Sequence, residues 1–347
     1  MKVLVTGGLG FIGSSFIREL AKSDNYTIAN IDSKSYASNL DAISEFEEIK
    51  KYSFYHENIC DESAMQKIFH EFSPDWIVNF AAETHVDRSI DSPQNFIDTN
   101  IFGTYNLLQS SLDYYSKNKK SSFRFLHIST DEVYGDVQNI SPPDENSPYF
   151  PNSPYSASKA SSDHLVRAWN KTFGLPTLIS NCTNNYGPFQ FPEKLIPLII
   201  IKALNREKLP VYGDGSQIRD WLHVEDHAKA ILILLKKGLV GESYNISGGN
   251  QIKNIEVINE ICKVLKSKID TDFDFEKLVN FVEDRPGHDT RYALDSSKIQ
   301  NSLGWKPKKD FLDGLAQTIE WYIKNEEWWA KYTKNSAMLS RRGMKKI

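Results

Sequence analysis

The stretch that most limits what this chain can become is Val3-Leu4-Val5-Thr6, followed at once by Gly7-Gly8-Leu9-Gly10-Phe11-Ile12-Gly13. A β-branched run, a glycine turn and the amphipathic pattern Ser14 to Leu20 read as strand, turn and helix. Gly7, Gly10 and Gly13 form a GxxGxxG variant: missing side chains let the backbone approach a pyrophosphate, and the helix N-terminus supplies free N–H groups. A second strand, Tyr26 to Ile31, ends at Asp32, where an acid is expected to bind the ribose diol of adenosine. An acid there repels a 2′-phosphate, so NAD is expected rather than NADP.

Strands follow at Tyr52 to His56 and Asp75 to Phe80, with a helix from Glu62 to Phe72 between them. A long helical pattern runs from Pro93 to Tyr115, with Thr99 and Asn100 in its interior. An apolar strand then leads to Ser129, and another spans Thr177 to Ser180. Such alternation predicts an α/β fold, a Rossmann-type doubly wound parallel sheet. Beyond Asn181 to Pro188 the pattern becomes less regular, as in a smaller C-terminal α/β substrate lobe. Its candidate helices are Glu193 to Leu204, Val224 to Lys237, Asn254 to Leu265, Ser296 to Leu303 and Phe311 to Asn325. Polar loops are expected at Tyr212 to Trp221 and Glu283 to Asp289, where Arg219 and Arg285 suit a diphosphate. The expected division is 1–188 for a cofactor domain with the catalytic residues and 189–330 for a substrate lobe, with the chain free to cross between them. Residues 331–347 read as a tail, frayed and basic from Ser340 to Lys346.

With 347 residues, 40% of them hydrophobic, the chain can build a substantial core. A net charge of -4 argues against a broad nucleic-acid or acidic-membrane surface. Cys60, Cys182 and Cys262 show neither disulfide nor metal spacing, so free thiols and no metal are expected. No charged leader precedes the first strand and no apolar run is long enough for a bilayer; a cytoplasmic protein without a membrane partner is expected.

The chemistry concentrates in Leu126-His127-Ile128-Ser129-Thr130-Asp131-Glu132-Val133-Tyr134-Gly135 and in Tyr155-Ser156-Ala157-Ser158-Lys159. Tyr155 and Lys159, four apart, share a helix face. A nearby ammonium and a cationic nicotinamide favour the phenolate, with Thr130 as a hydrogen-bond partner, so Tyr155 can take a proton from a sugar hydroxyl. On a continuing strand Asp131 and Glu132 would point to opposite faces. For both to reach one hexose, the strand must end by Thr130.

With these motifs in place, the chain resembles the extended short-chain dehydrogenase/reductase family and, within it, the dTDP-glucose 4,6-dehydratases. The resemblance runs from Met1 to about Tyr322 and includes Ala81 to Ile90, Asp131-Glu132, Asn184 to Pro188, Phe191 to Pro197, Arg219-Asp220-Trp221 and Asp284 to His288. It implies C4 oxidation, loss of water across C5 and C6, and hydride return to C6, with Glu132 as base at C5 and Asp131 as acid at C6. It places NAD on Phe11, Ile12, Asp32, Ser33, Lys34, Ser35, Asn58, Ile59, Ala81, Ala82, Glu83, Thr84, Thr99, Tyr155, Lys159 and Asn185. It places the nucleotide sugar on Thr84, Thr130, Asn184, Lys194, Leu195, Pro210, Val211, Tyr212, Arg219, Asn254, Asp284, Arg285, Pro286, Gly287 and His288. It also implies a homodimer, through the helices at Pro93 to Tyr115 and Pro154 to Phe173. Asn58, Thr84 and Gly249 depart from the usual Asp, Ser and His. The rival readings are a UDP-glucose 4,6-dehydratase, an NAD-dependent 4-epimerase, which generally lacks Asp-Glu after the Thr, and a non-catalytic dinucleotide sensor.

Overall fold

The computed structural model describes residues 1–269 and 272–333. The first half alternates strand and helix: β1 (Lys2–Thr6), α1 (Phe11–Ala21), β2 (Thr27–Ile31), α2 (Asp41–Glu47), β3 (Tyr52–Tyr55), α3 (Glu62–Phe72) and β4 (Trp76–Asn79). After α4 (Val86–Asp91) and α5 (Gln94–Phe96), a π-helical segment, Ile97–Gly103, leads into α6 (Thr104–Asn118). The helix expected from Pro93 to Tyr115 is therefore one path with a change of pitch: the wider turn at Ile97–Gly103 lets Asn100 reach both Glu83 and α7 (Pro154–Phe173). Between α6 and α7, β5 (Arg124–Thr130) ends in a single 3₁₀ turn, Asp131–Tyr134.

β6 (Thr177–Cys182) and β7 (Asn184–Tyr186) come next, then α8 (Leu195–Leu204), β8 (Leu209–Tyr212), β9 (Ile218–His223), α9 (Val224–Lys237), β10 (Ser243–Ile246), β11 (Gln251–Lys253), α10 (Asn254–Lys268), β12 (Val279–Val282), α11 (Ser297–Leu303), α12 (Phe311–Lys324) and α13 (Glu326–Thr333). The polar loop expected over Tyr212 to Trp221 is a turn followed by β9. Arg219 therefore lies in a strand and is buried. The sequence Ile-Arg-Asp-Trp-Leu-His does not alternate polar and apolar residues, and the Gly-Asp-Gly-Ser before it reads as a turn, so the strand carries no clear mark in the sequence. Of the C-terminal tail, residues 331–333 complete α13; the basic stretch Ser340 to Lys346 lies outside the described residues.

The large sheet is wholly parallel, in the order β10-β6-β5-β4-β1-β2-β3. Its central strands are buried on both faces, which explains their apolar runs: Val3, Leu4 and Val5 are inaccessible, as are Ile77 and Val78. Phe16, Ile17 and Leu20 of α1 and Ile231, Leu234 and Leu235 of α9 cover one face. Met65, Ile68 and Phe69 of α3, Leu107 and Leu108 of α6 and Val166 of α7 cover the other. A separate core is built on α8, α10 and α12 around Trp221, Phe311 and Trp328. The chain does not stay on one side after residue 188: α9 packs on α1, and β10 pairs with β6. Among the described residues, no helix is long and apolar enough to cross a membrane.

Candidate active site

A cavity of about 310 Å³ opens along the carboxyl ends of β1, β2, β4, β5 and β6, where doubly wound sheets hold ligands. Its floor is the glycine turn. Gly7 has φ +69°, and a Cβ there would lie 2.7 Å from the Ala81 nitrogen; at Gly13 it would lie 2.3 Å from the Gly7 oxygen. Both positions therefore require glycine. No side chain caps α1, so its first N–H groups face the cavity as an anion site. Asp32 stands at the end of β2, its Oδ2 accepting from the Leu9 N–H (3.0 Å) and its Oδ1 from the Lys34 N–H (2.9 Å) and Ser38 hydroxyl (3.0 Å). This is a fit for a dinucleotide: a pyrophosphate cradle and a carboxylate one strand away.

Gly7, Gly10, Phe11, Ile12, Gly13, Asp32, Ser33, Ser35, Asn58, Ile59, Ala81, Ala82, Glu83, Thr84, Thr99, Tyr155, Lys159 and Asn185 all line the cavity. Lys34 does not; its ammonium lies over the Phe54 ring instead. Asn58 is held by accepting from the Cys60 N–H (2.9 Å). Asn100 clamps Glu83 through both its N–H and its carbonyl. Asn185 is tied to His227 (2.9 Å) and to the Thr183 carbonyl (2.9 Å), a support that no sequence pattern announced.

At the far end stand Thr130, Asp131, Glu132, Tyr155 and Lys159, all in the cavity wall. β5 does end at Thr130, and the 3₁₀ turn carries both Asp131 and Glu132 toward the same space, the geometry that shared access to one hexose demands. Thr130 Oγ1 donates to Asp131 Oδ1 (3.1 Å), while Asp131 Oδ2 is buried and unpartnered. Burial, then the Glu132 charge, holds the Asp131 carboxyl well above the usual carboxylate range. Burial also raises Glu132, but the nearby cations Arg285, Arg219 and Lys194 oppose the rise. Both carboxyls are thus raised, Asp131 the further, because the cations reach Glu132 more strongly.

Tyr155 and Lys159 lie on one face of α7, but the expected activation of the phenol by the ammonium is not made directly. Lys159 Nζ donates to the Ile128 carbonyl (2.7 Å) and lies 3.2 Å from His127 Nε2. Burial brings its ammonium down to about 8, against the favourable charge of Asp163. Burial and then the charge of Glu132 push the Tyr155 phenol well above its usual value, and the Thr130 hydroxyl pulls it back.

Thr84, Thr130, Asn184 and Lys194 are the expected sugar-contacting residues that line this cavity; Asn184 Oδ1 is buried without a partner and Lys194 donates to the Thr84 carbonyl (3.0 Å). The others form an adjoining layer. Tyr212 donates to Asp87 (3.0 Å), which also holds Arg285 (2.7 Å). Arg219 reaches His288 (2.9 Å), which bonds Asp284 (2.6 Å). Pro286 and Gly287 sit in the turn between Arg285 and His288, Gly287 with φ +64°. Pro210 lies on β8, and Leu195 and Val211 pack into the second core. Asn254 opens α10 with its Oδ1 buried and unpartnered. Sequence reasoning passed over Asp87, Glu193 and Tyr292 as site residues. Glu193 accepts from Tyr36 (2.7 Å) and Arg88 (3.1 Å), and Tyr292 donates to Asp289 (2.6 Å) beside Glu132. Charged residues so deeply placed show their partners only in three dimensions. Among the described residues, no cluster of His, Cys, Asp and Glu could hold a metal ion.

Comparison with known proteins agrees with this geometry. The sequence profile of the GDP-mannose 4,6 dehydratase family matches residues 4–318. A dTDP-glucose 4,6-dehydratase of Escherichia coli is 51% identical over 99% of both chains. The crystal structure of a dTDP-glucose 4,6-dehydratase from Bacillus anthracis in complex with NAD superimposes with a TM-score of 0.86 at 43% identity, covering 96% of this chain and 100% of that one. One from Streptomyces venezuelae, also with NAD bound, gives 0.88 at 41% identity, with the same coverage. Similarity at this level, spread over the whole length and both cores, means that the chain belongs to the dTDP-glucose 4,6-dehydratases of the extended short-chain dehydrogenase/reductase family.

Proposed function

We propose that this protein is an NAD-dependent hydro-lyase that converts dTDP-glucose to dTDP-4-keto-6-deoxyglucose. The observation that carries the reading is the pair Asp131 and Glu132, adjacent in one cavity wall, with Asp131 raised well above the usual carboxylate range and the rise of Glu132 opposed by Arg285, Arg219 and Lys194. An epimerase needs no such pair.

When bound, NAD supplies an acceptor for the hydride from C4 and later a donor of that hydride to C6. Tyr155 takes the proton of the C4 hydroxyl, and the resulting ketone acidifies C5. Glu132, its ionised form supported by Arg285 and Arg219, removes the C5 proton. Asp131, held protonated, gives its proton to the C6 hydroxyl, which leaves as water. Once C6 has its hydride, Glu132 returns a proton to C5. The proton taken by Tyr155 balances the one spent by Asp131, so the sugar loses one water overall. Arg285 and Arg219 supply charge for the diphosphate, Asn184 and Lys194 hold the sugar end, and Asp32 takes the ribose of the cofactor.

Two finer assignments accompany this reading. The protein works as a homodimer: Phe102, Tyr105 and Phe173, on the π segment, α6 and α7, are exposed apolar groups on the helices expected to pair. It works in the cytoplasm, in keeping with free thiols at Cys60, Cys182 and Cys262. The test of function is parallel incubation with dTDP-glucose and UDP-glucose, followed by mass detection of the product. Loss of one water from dTDP-glucose is expected; loss from UDP-glucose alone overturns the nucleotide, and loss from neither overturns the reaction.

A further inference from the structure

Behind the cavity a buried polar row joins β1, β4, β5 and α7 and ends on Lys159, and the reaction scheme leaves it unused. We propose that Asp163 and His127 are positioning residues that set the charge of Lys159 in opposite senses, the carboxylate holding the ammonium and the imidazole opposing it.

The row begins at Thr6. Its hydroxyl oxygen accepts from the Ala81 N–H (3.4 Å), leaving its proton to Asn79 Oδ1 (2.6 Å). That fixes the Asn79 amide, so Nδ2 faces His127 Nδ1 at 3.1 Å. An amide NH2 only donates; Nδ1 must accept, and the neutral ring carries its proton on Nε2. Nε2 lies 3.2 Å from Lys159 Nζ and 3.6 Å from Asp163 Oδ1. Facing an ammonium, Nε2–H sets donor against donor; facing a neutral amine, it makes a hydrogen bond. The ring thus favours the amine.

Asp163 works the other way. It is inaccessible to solvent, and its Oδ2 accepts from Ser129 (2.8 Å), Tyr149 (3.0 Å) and Asn181 (3.2 Å). Burial raises its carboxyl, and against that rise the Lys159 charge, the hydrogen bonds from Ser129 and Tyr149, and Arg167 support the ionised form. Its Oδ1 makes no hydrogen bond and lies on the His127 side. The other groups facing Lys159 are the Ile128 carbonyl on β5 and the Cys182 thiol on β6. Tyr155 lies one turn earlier on α7, and Asp131 and Glu132 act on that phenol. Burial brings the enclosed Lys159 down to about 8, and on that background Asp163 favours the ammonium while the His127 ring favours the amine. The consequence for turnover rests on the reading of Tyr155 as the C4 base: only the ammonium helps to hold its phenolate.

The test is NMR titration of lysines carrying a 13C label at Cε, in the full-length protein without substrate, with Lys159→Arg identifying the resonance. Asp163→Asn should lower the Lys159 midpoint by about one pH unit or more. Asn79→Asp offers an acceptor to Nδ1, moves the ring proton there and turns Nε2 toward the ammonium as an acceptor; the midpoint should rise. In the NAD-loaded enzyme the alkaline limb of kcat for dTDP-glucose should move with the midpoint in each variant. An unchanged lysine midpoint in a folded variant overturns the proposal, however low its activity, because a merely structural role leaves the titration in place. If Asp163→Asn does not fold, Asn79→Asp decides. A midpoint that moves while the alkaline limb stays put upholds the coupling and overturns the role given to Tyr155.

Discussion

Asp131 and Glu132 differ by one methylene and one position, yet their surroundings separate them. Asp131 is enclosed with an unpartnered oxygen, whereas Glu132 is reached by the field of two arginines and a lysine. Glu132→Gln should abolish water loss, with kcat down by roughly 10² to 10⁴-fold, while the absorbance of reduced NAD still appears on mixing with substrate; normal turnover in that variant rejects the base assignment. Asp131→Asn should cost activity and gain stability. The folded state raises this carboxyl, so its contribution is full below the unfolded value of 3.8 and is lost as pH rises through the folded one. Thermal denaturation should therefore show the Asn variant ahead of the parent at neutral pH and level with it in strong acid; equal melting temperatures at neutral pH contradict the burial argument. The types and places of these groups were legible in the sequence. Their charges were not, since Arg219 and Arg285 lie 87 and 153 residues beyond Glu132 in a chain whose intervening path is hard to read.

At the level of elements, the strands and helices with strong periodicity were legible, and those with tertiary causes were not. Val224 to Lys237 reads as a helix and is one, closed at its start by His223. The π segment at Ile97–Gly103 left no mark, because its reason is Asn100, which must reach Ser158 and Glu83. β9 was hidden by the turn before it, and α2 and α4 are too short to show a period. The glycine turn was the clearest signal, since its cause is local. Gly13→Ala drives a Cβ onto the Gly7 carbonyl, so NAD affinity should fall about tenfold or more, roughly 1.4 kcal/mol, by calorimetric titration. Unchanged affinity would mean that the turn yields without disturbing the cradle. Asp61 caps α3 through the Ala64 N–H (3.0 Å); Asp61→Ala should lower the midpoint of urea denaturation and leave turnover alone.

Across the whole molecule, the site depends on contacts between distant parts of the chain. Arg285 is held by Asp87, 198 residues away, and Tyr212 shares that carboxylate. Asp87→Asn should loosen the guanidinium and raise KM for the nucleotide sugar several-fold with little change in kcat, measured by steady-state kinetics; a fall in kcat alone would show that Arg285 serves the chemistry rather than binding. Such pairings were beyond the sequence, which shows two charged residues but not their meeting. The same interweaving bears on how proteins of this kind can be recombined. β10 lies on the open edge of β6 only after the chain has passed through β8 and β9. A fragment ended at residue 188 would bare the edge of Thr177–Cys182, an apolar strand ready to pair with another copy and aggregate. No single cut releases a sound cofactor half, so exchanging the sugar-facing half between two such genes takes at least three crossover points, one near residue 188 and one on each side of the segment that carries α9 and β10.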